Sequence, residues 1–289
     1  MRDLDRIGSP LFLNLLRTMT GAILYIVSVL IFGLVSDLLE LSGLVVIYLV
    51  LSVIFNVVIG DTFYFKSQTI LGVKIATPIV NIYPFVTIIL SAMFLAEKFE
   101  SKFLLGGLLI IIGIILLSQE FQDGEMKENG FTSRETIVAF LLAFGSVLMY
   151  ALGVFFTTLG SENIDVNVAN SVRLPSGAFM LLIVLLIQPY QSNNSSQKVS
   201  LKEQFQRLLK ISNLDKFKII IAGLLGTYVS SLFLVLSTQE LGAGKTAVLT
   251  STGPLFALPL AIFWLGEKVG KLTIIGTILS LVGLWISII

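Results

Sequence analysis

Apolar runs of about 20 residues recur along the whole chain with short polar turns between them, and each can cross a hydrocarbon core of roughly 30 Å as a helix. Nine are read, at roughly 10–34, 43–70, 74–95, 101–119, 134–158, 166–188, 217–241, 244–265 and 270–289. A helix satisfies its own backbone hydrogen bonds in lipid; a transmembrane β-barrel would show short alternating strands instead. With 55% hydrophobic and 13% charged residues, the chain cannot cover a soluble fold with polar surface. The predicted fold class is therefore an all-α integral membrane protein, multi-pass, in the cell membrane. No cleavable signal is read, because the first run is too long for a signal peptide and no small-x-small site follows it.

The same composition excludes several functions. A net charge of +1 with no aromatic-interleaved basic stripe gives no case for a nucleic-acid partner. Cysteine and histidine are both absent, so the usual zinc, haem and iron–sulfur ligand sets cannot be assembled, and no metal or cofactor is expected. The segment Gly242-Ala-Gly-Lys-Thr246 has Gln239 where a phosphate-binding loop needs its first glycine. Gly60-Asp61 has Val58 where an intramembrane aspartyl protease needs glycine, and no G-x-S-x-G or H-E-x-x-H is present. Enzyme chemistry is not expected.

The chain is internally doubled. Pro84, Glu97-Lys98, Gly106 and Gly113 recur as Pro254, Glu267-Lys268, Gly276 and Gly283 at a constant offset of 170. Upstream, Asn14 to Arg17 aligns with Asn170 to Arg173 at an offset of 156, and the polar loop 189–218 accounts for the 14-residue difference. The polar stretch 120–133 reads as a linker. The expected domains are thus a first repeat of four spans at 1–119 and a second of five spans at 134–289. Duplication in a hydropathic chain points to a secondary transporter with its binding site made by both halves.

These features resemble the EamA-type carriers of the drug/metabolite transporter superfamily. The likeness is carried by the doubled Pro/Glu/Gly pattern, by Leu71-Gly72 and Leu241-Gly242 before the fourth helix of each repeat, and by Arg17 and Arg173. The resemblance implies two five-helix repeats in inverted orientation, with a small-molecule solute and the lipid bilayer as partners. It implies alternating-access transport of a small organic metabolite, an amino acid or related solute first. The alternatives are a nucleotide-sugar or phosphate-ester exchanger and a non-transporting membrane interaction protein. It also implies a helix before Asn14, so the expectation is that the reading frame extends upstream of Met1 or that a separate chain, in an oligomer, fills that place.

Individual residues carry the site expectations. Arg17 and Arg173 lie about two turns into their spans, where a fork can hold carboxylate or phosphate or snorkel to the interface. Asp61 is a candidate proton or cation site. Lys66, five residues and roughly 140° around the helix, is badly placed to pair with it. Tyr64, Tyr83, Tyr150 and Tyr228 are candidate cavity hydroxyls or interface anchors. Pro84 and Pro254 are candidate helix hinges. Glu97 and Glu267 end their spans and read as structural caps of the following turns, and Gly106 and Gly276 as sites of close helix approach. Lys and Arg counts place the amino terminus and the 189–218 loop in the cytoplasm; the resemblance instead places the carboxyl terminus and the Glu97 turn there.

Overall fold

The computed structural model describes residues 8–98, 101–120, 133–187, 190–191, 198–253 and 271–288. Pro254 and Glu267 lie outside them. The described chain is helical apart from one antiparallel pair of two-residue strands, β1 (Tyr190–Gln191) and β2 (Lys198–Val199), with Tyr190 opposite Val199. Among the described residues, six helical stretches are long and apolar enough to cross a membrane: Pro10–Ile31, Gly43–Leu71, Ile75–Phe94, Ser133–Ser161, Val166–Ile187 and Asn213–Leu241. Two shorter apolar segments, Leu104–Leu116 and Ile274–Gly283, lie within further helices.

Local chemistry sets the boundaries. Helix α1 (Pro10–Ile31) starts where Ser9 Oγ accepts from the Phe12 N–H at 3.1 Å, with proline in the first turn. After the short α2 (Val35–Leu39), Ser42 caps α3 (Gly43–Val53). This helix runs through a π-helical stretch, Ile54–Gly60, into α4 (Asp61–Leu71). Gly72, at φ +76° and ψ 162°, ends it in a conformation open essentially to glycine alone. Helix α5 (Val73–Val80) then stops at Asn81–Ile82, and α6 (Tyr83–Phe94) restarts with Pro84 in its first turn, where a missing N–H costs nothing. Helices α7 (Ser101–Glu120), α8 (Ser133–Ser161) and α9 (Val166–Ile187) follow.

The second half repeats these irregularities. After α10 (Leu201–Lys210), α11 (Asn213–Gly223) passes through a π-helical stretch, Leu224–Val229, into α12 (Ser230–Leu241). Gly242 has φ +84° and ψ 174°, and α13 (Ala243–Thr250) gives way to turn backbone at Ser251–Thr252. The final described helix is α14 (Lys271–Ile288). The π starts, the positive-φ glycines and the breaks at Asn81 and Ser251 are each 170 residues apart.

The chain forms two compact units, Met1–Val58 with Phe156–Gln239, and Ile59–Phe155 with Glu240–Ile289. Each unit draws on both halves of the sequence. In the first, α1 packs on α9, and a Cβ on Gly21 would meet Leu174 at 2.9 Å. Tyr25 and Leu174 form one core there, and Phe12, Leu15, Leu181 and Leu185 another. In the second, α7 packs along α14, and Ile88, Ile110, Ile114 and Val248 make a core. Gly283 lies against the Gly106 carbonyl, Gly113 against the Gly276 carbonyl, and Ser280 Oγ donates to Ile110 O at 3.3 Å. Lipid tails are as apolar as leucine, so helices associate there through such close backbone approach. Large apolar side chains, including Leu30, Ile31, Leu141, Phe144, Phe233 and Trp285, point outward, as lipid contact requires.

Candidate functional site

In the second unit, side chains from five helices gather around a carboxylate. Asp61, the first residue of α4 after the π-helical stretch, accepts a hydrogen bond at Oδ1 from the Tyr150 hydroxyl of α8 at 2.6 Å. Tyr150 stands edge-on to Tyr64 of α4 and Tyr83 of α6, with ring centroids 6.5 and 5.9 Å away. The Tyr64 and Thr77 hydroxyls are 2.8 Å apart. Tyr83 Oη donates to Ala247 O at 3.1 Å and hydrogen-bonds Thr250 Oγ1. Asp61, Tyr64, Tyr83 and Tyr150 are all half-buried.

The backbone explains why polar groups collect here. Tyr83 opens α6 immediately after the break at Asn81–Ile82, and Thr250 ends α13 at the equivalent break. Such interruptions leave carbonyls without intrahelical partners, and at membrane depth non-helical backbone persists where protein or a water-filled cavity satisfies it. At these two breaks side chains add a second bond to carbonyls that already accept from the backbone: Asn81 Nδ2 donates to Thr77 O at 2.8 Å beside the Asn81 N–H, and Tyr83 donates to Ala247 O beside the Ser251 N–H. A carboxylate beside tyrosine hydroxyls and ring edges can accept a proton or meet a cationic group while presenting hydroxyls to a polar solute.

The first unit holds a second polar group. Arg173 of α9 is buried; its Nε donates to Ser52 Oγ at 2.8 Å and its Nη1 to Asn170 Oδ1 at 2.8 Å. Both partners are neutral, and among the described residues no carboxylate lies within salt-bridge distance of it. Asn170 Nδ2 donates to Ser231 O at 3.2 Å. Tyr25 donates to Tyr228 O at 2.8 Å, its ring 4.4 Å from that of Tyr228, whose hydroxyl is 2.9 Å from Ser28 Oγ. Arg17 is half-buried; its Nη2 makes a long 3.5 Å contact with Gly226 O in the second π-helical stretch, while its Nε is buried without a partner.

Four of the candidates chosen from sequence, Asp61, Tyr64, Tyr83 and Tyr150, thus meet in one cluster, while Arg17, Arg173 and Tyr228 lie in the first unit. Lys66 is exposed on α4. Pro84 sits in the first turn of α6, next to the break. Glu97 Oε1 and Oε2 accept from the Ala243 and Gly244 N–H groups at 2.7 and 3.2 Å, so a first-half carboxylate caps a second-half helix, where the helix dipole favours negative charge. Gly106 and Gly276 are buried between α7 and α14. Pro254 and Glu267 fall outside the described residues. The sequence carries no signal for Tyr25, Ser52, Thr77 or Thr250 as partners, since they lie in ordinary apolar runs and are recruited by folding. Tyr150 is legible as a hydroxyl but not as the partner of a carboxylate 89 positions away.

Long apolar helices, doubled irregularities and polar clusters within spans define a multi-pass integral membrane protein of the transporter kind. The EamA-like transporter family matches residues 4–119 and 137–289, and the chain belongs to that family, within the drug/metabolite transporter superfamily. No curated protein matches. Among solved structures, one described only as a crystal structure of a protein is similar over 98% of this chain and 89% of its own, with a TM-score of 0.72 and 14% identity. At that identity the likeness speaks for the fold alone.

Proposed function

We propose that this protein is a secondary carrier that moves a small organic metabolite by alternating access, an amino acid or related solute being the first class to test. The observation that carries the reading is the Asp61, Tyr64, Tyr83 and Tyr150 cluster, a half-buried polar site at membrane depth built where two helices are broken. Ionisable groups within spans are costly and are retained along substrate or ion pathways. Discontinuous helices supply backbone groups to such sites in carriers. The doubled π-helical stretches, glycine turns and breaks support two repeats of four and five spans, inverted relative to one another, nine spans in all. Flux needs no covalent step, and the tyrosine and threonine hydroxyls supply reversible hydrogen bonds that a solute can exchange for water.

The test is reconstitution into liposomes and measurement of uptake and counterflow across amino acids, other small metabolites, and nucleotide sugars or phosphate esters. Ligand-induced thermal stabilisation of the purified protein narrows the class first, since a ligand binding only the folded state raises its stability. Counterflow that Tyr150→Phe impairs, in a variant that remains folded and inserted, is the expected result. Counterflow unchanged in Tyr150→Phe removes the cluster from the pathway, and no flux for any solute class removes the carrier reading.

A further inference from the structure

The geometry points to a binding surface for anionic lipid headgroups on the outer face of α10 in the first unit, with the exposed apolar start of α11 beside it. The inference rests on membrane residence alone and is independent of the transported solute.

Helix α10 is fixed firmly and amphipathic. Ser200 and Glu203 form a capping box at its start: the Glu203 N–H donates to Ser200 Oγ at 3.3 Å, and the Ser200 N–H to Glu203 Oε2 at 3.1 Å. Leu201, Phe205 and Leu208 pack on the core that contains Phe12 and Leu185, and the Phe12 and Phe205 rings meet edge to face at 5.0 Å. Buried Gln204 accepts at Oε1 from the Ser9 N–H at 2.9 Å and from Ser9 Oγ at 3.1 Å, tying α10 to the first turn of α1. A Cβ on Gly8 would lie 2.6 Å from that same Oε1. The helix is thereby held at the ends of spans α1 and α9, where a bilayer has its headgroups.

Lys202, Arg207 and Lys210 are left on the exposed face. The acidic residues of this stretch are engaged elsewhere: Glu203 in the capping box, and Asp215 with Ser212 at 2.8 Å and Lys218 at 3.4 Å. Among the described residues, none of the three cations meets a carboxylate within salt-bridge distance. Lys202 and Leu209, seven residues apart, stand in one row. Leu209 is 74% exposed, and Leu214 and Phe217 at the start of α11 are 63% and 59% exposed. Apolar side chains presented to water beside unpaired cations fit an interface where acyl chains take the first and phosphates the second.

The experiment is native mass spectrometry of the full chain released from bilayers containing equal phosphatidylglycerol and phosphatidylcholine. The wild-type protein is expected to retain phosphatidylglycerol preferentially. Each of Lys202→Gln, Arg207→Gln and Lys210→Gln is expected to lower the ratio about fivefold, which corresponds to ~1 kcal/mol per basic residue at an anionic surface. Lys202→Arg/Lys210→Arg is expected to keep it. All these side chains are exposed, and retained thermal unfolding verifies that the fold is intact. Equal retention of the two lipids by the wild type, or unchanged preference after all three neutralisations, overturns the proposal. Displacement of phosphatidylglycerol by inorganic phosphate does so too, because it makes the surface a free-phosphate site.

Discussion

Two hydrogen-bonded side chains carry the largest expected single-residue effects. Tyr150→Phe removes the 2.6 Å bond to Asp61 and leaves the ring packing between Tyr64 and Tyr83 in place. A hydrogen bond to a charged group contributes ~1.5–3 kcal/mol to the folded state, so the unfolding midpoint should fall, and flux through this site should fall with it because Asp61 loses the hydroxyl that holds it. Counterflow kinetics and thermal unfolding, measured on the same preparation, separate the two effects. Arg173→Lys should be read in stability alone. An ammonium cannot reproduce the fork that reaches both Ser52 and Asn170 from inside the core, and ~1–3 kcal/mol of stability should be lost, read as a lower unfolding midpoint in detergent. An unchanged midpoint would show that these two bonds contribute nothing net to the folded state.

The two glycine turns allow a matched comparison at the level of helices. Gly72 and Gly242 share a backbone conformation that costs other residues ~1–3 kcal/mol. A Cβ on Gly72 meets open space, whereas one on Gly242 would lie 2.6 Å from the Glu97 carboxylate that caps α13. Gly242→Ala should therefore destabilise more than Gly72→Ala, and Glu97→Ala should remove most of the difference at a cost of its own of ~0.5–2 kcal/mol. A double-mutant cycle in thermal unfolding tests this; additive effects would mean that the cap is not formed. These helices also mark the limit of what the sequence discloses. Apolar length alone placed the 43–70 and 217–241 spans, and the repeat singled out Gly72 and Gly242. The π-helical stretches at Ile54 and Leu224 lie inside mainly apolar segments, where the wider helical turn leaves no compositional trace. Glu97 read as the cap of its own turn because nothing local indicates that its acceptors face the start of α13.

At the scale of the whole molecule, the sequence repeats run one after another while the compact units interleave them, so each unit contains parts of both halves. That interleaving brings Asp61 and Tyr150 together, from either side of the linker, within one packed body. If this carboxylate takes up a proton during transport, the carrier should accumulate solute against its gradient when a pH gradient is imposed. Asp61→Asn keeps an acceptor for Tyr150 but cannot be protonated or carry charge. The variant should therefore retain solute counterflow at equal pH on both sides while losing the pH-driven component. Parallel counterflow and gradient-driven uptake in proteoliposomes check this. An Asp61→Asn protein that still responds fully to the pH gradient would place coupling elsewhere, and one that loses counterflow as well would make Asp61 part of solute binding.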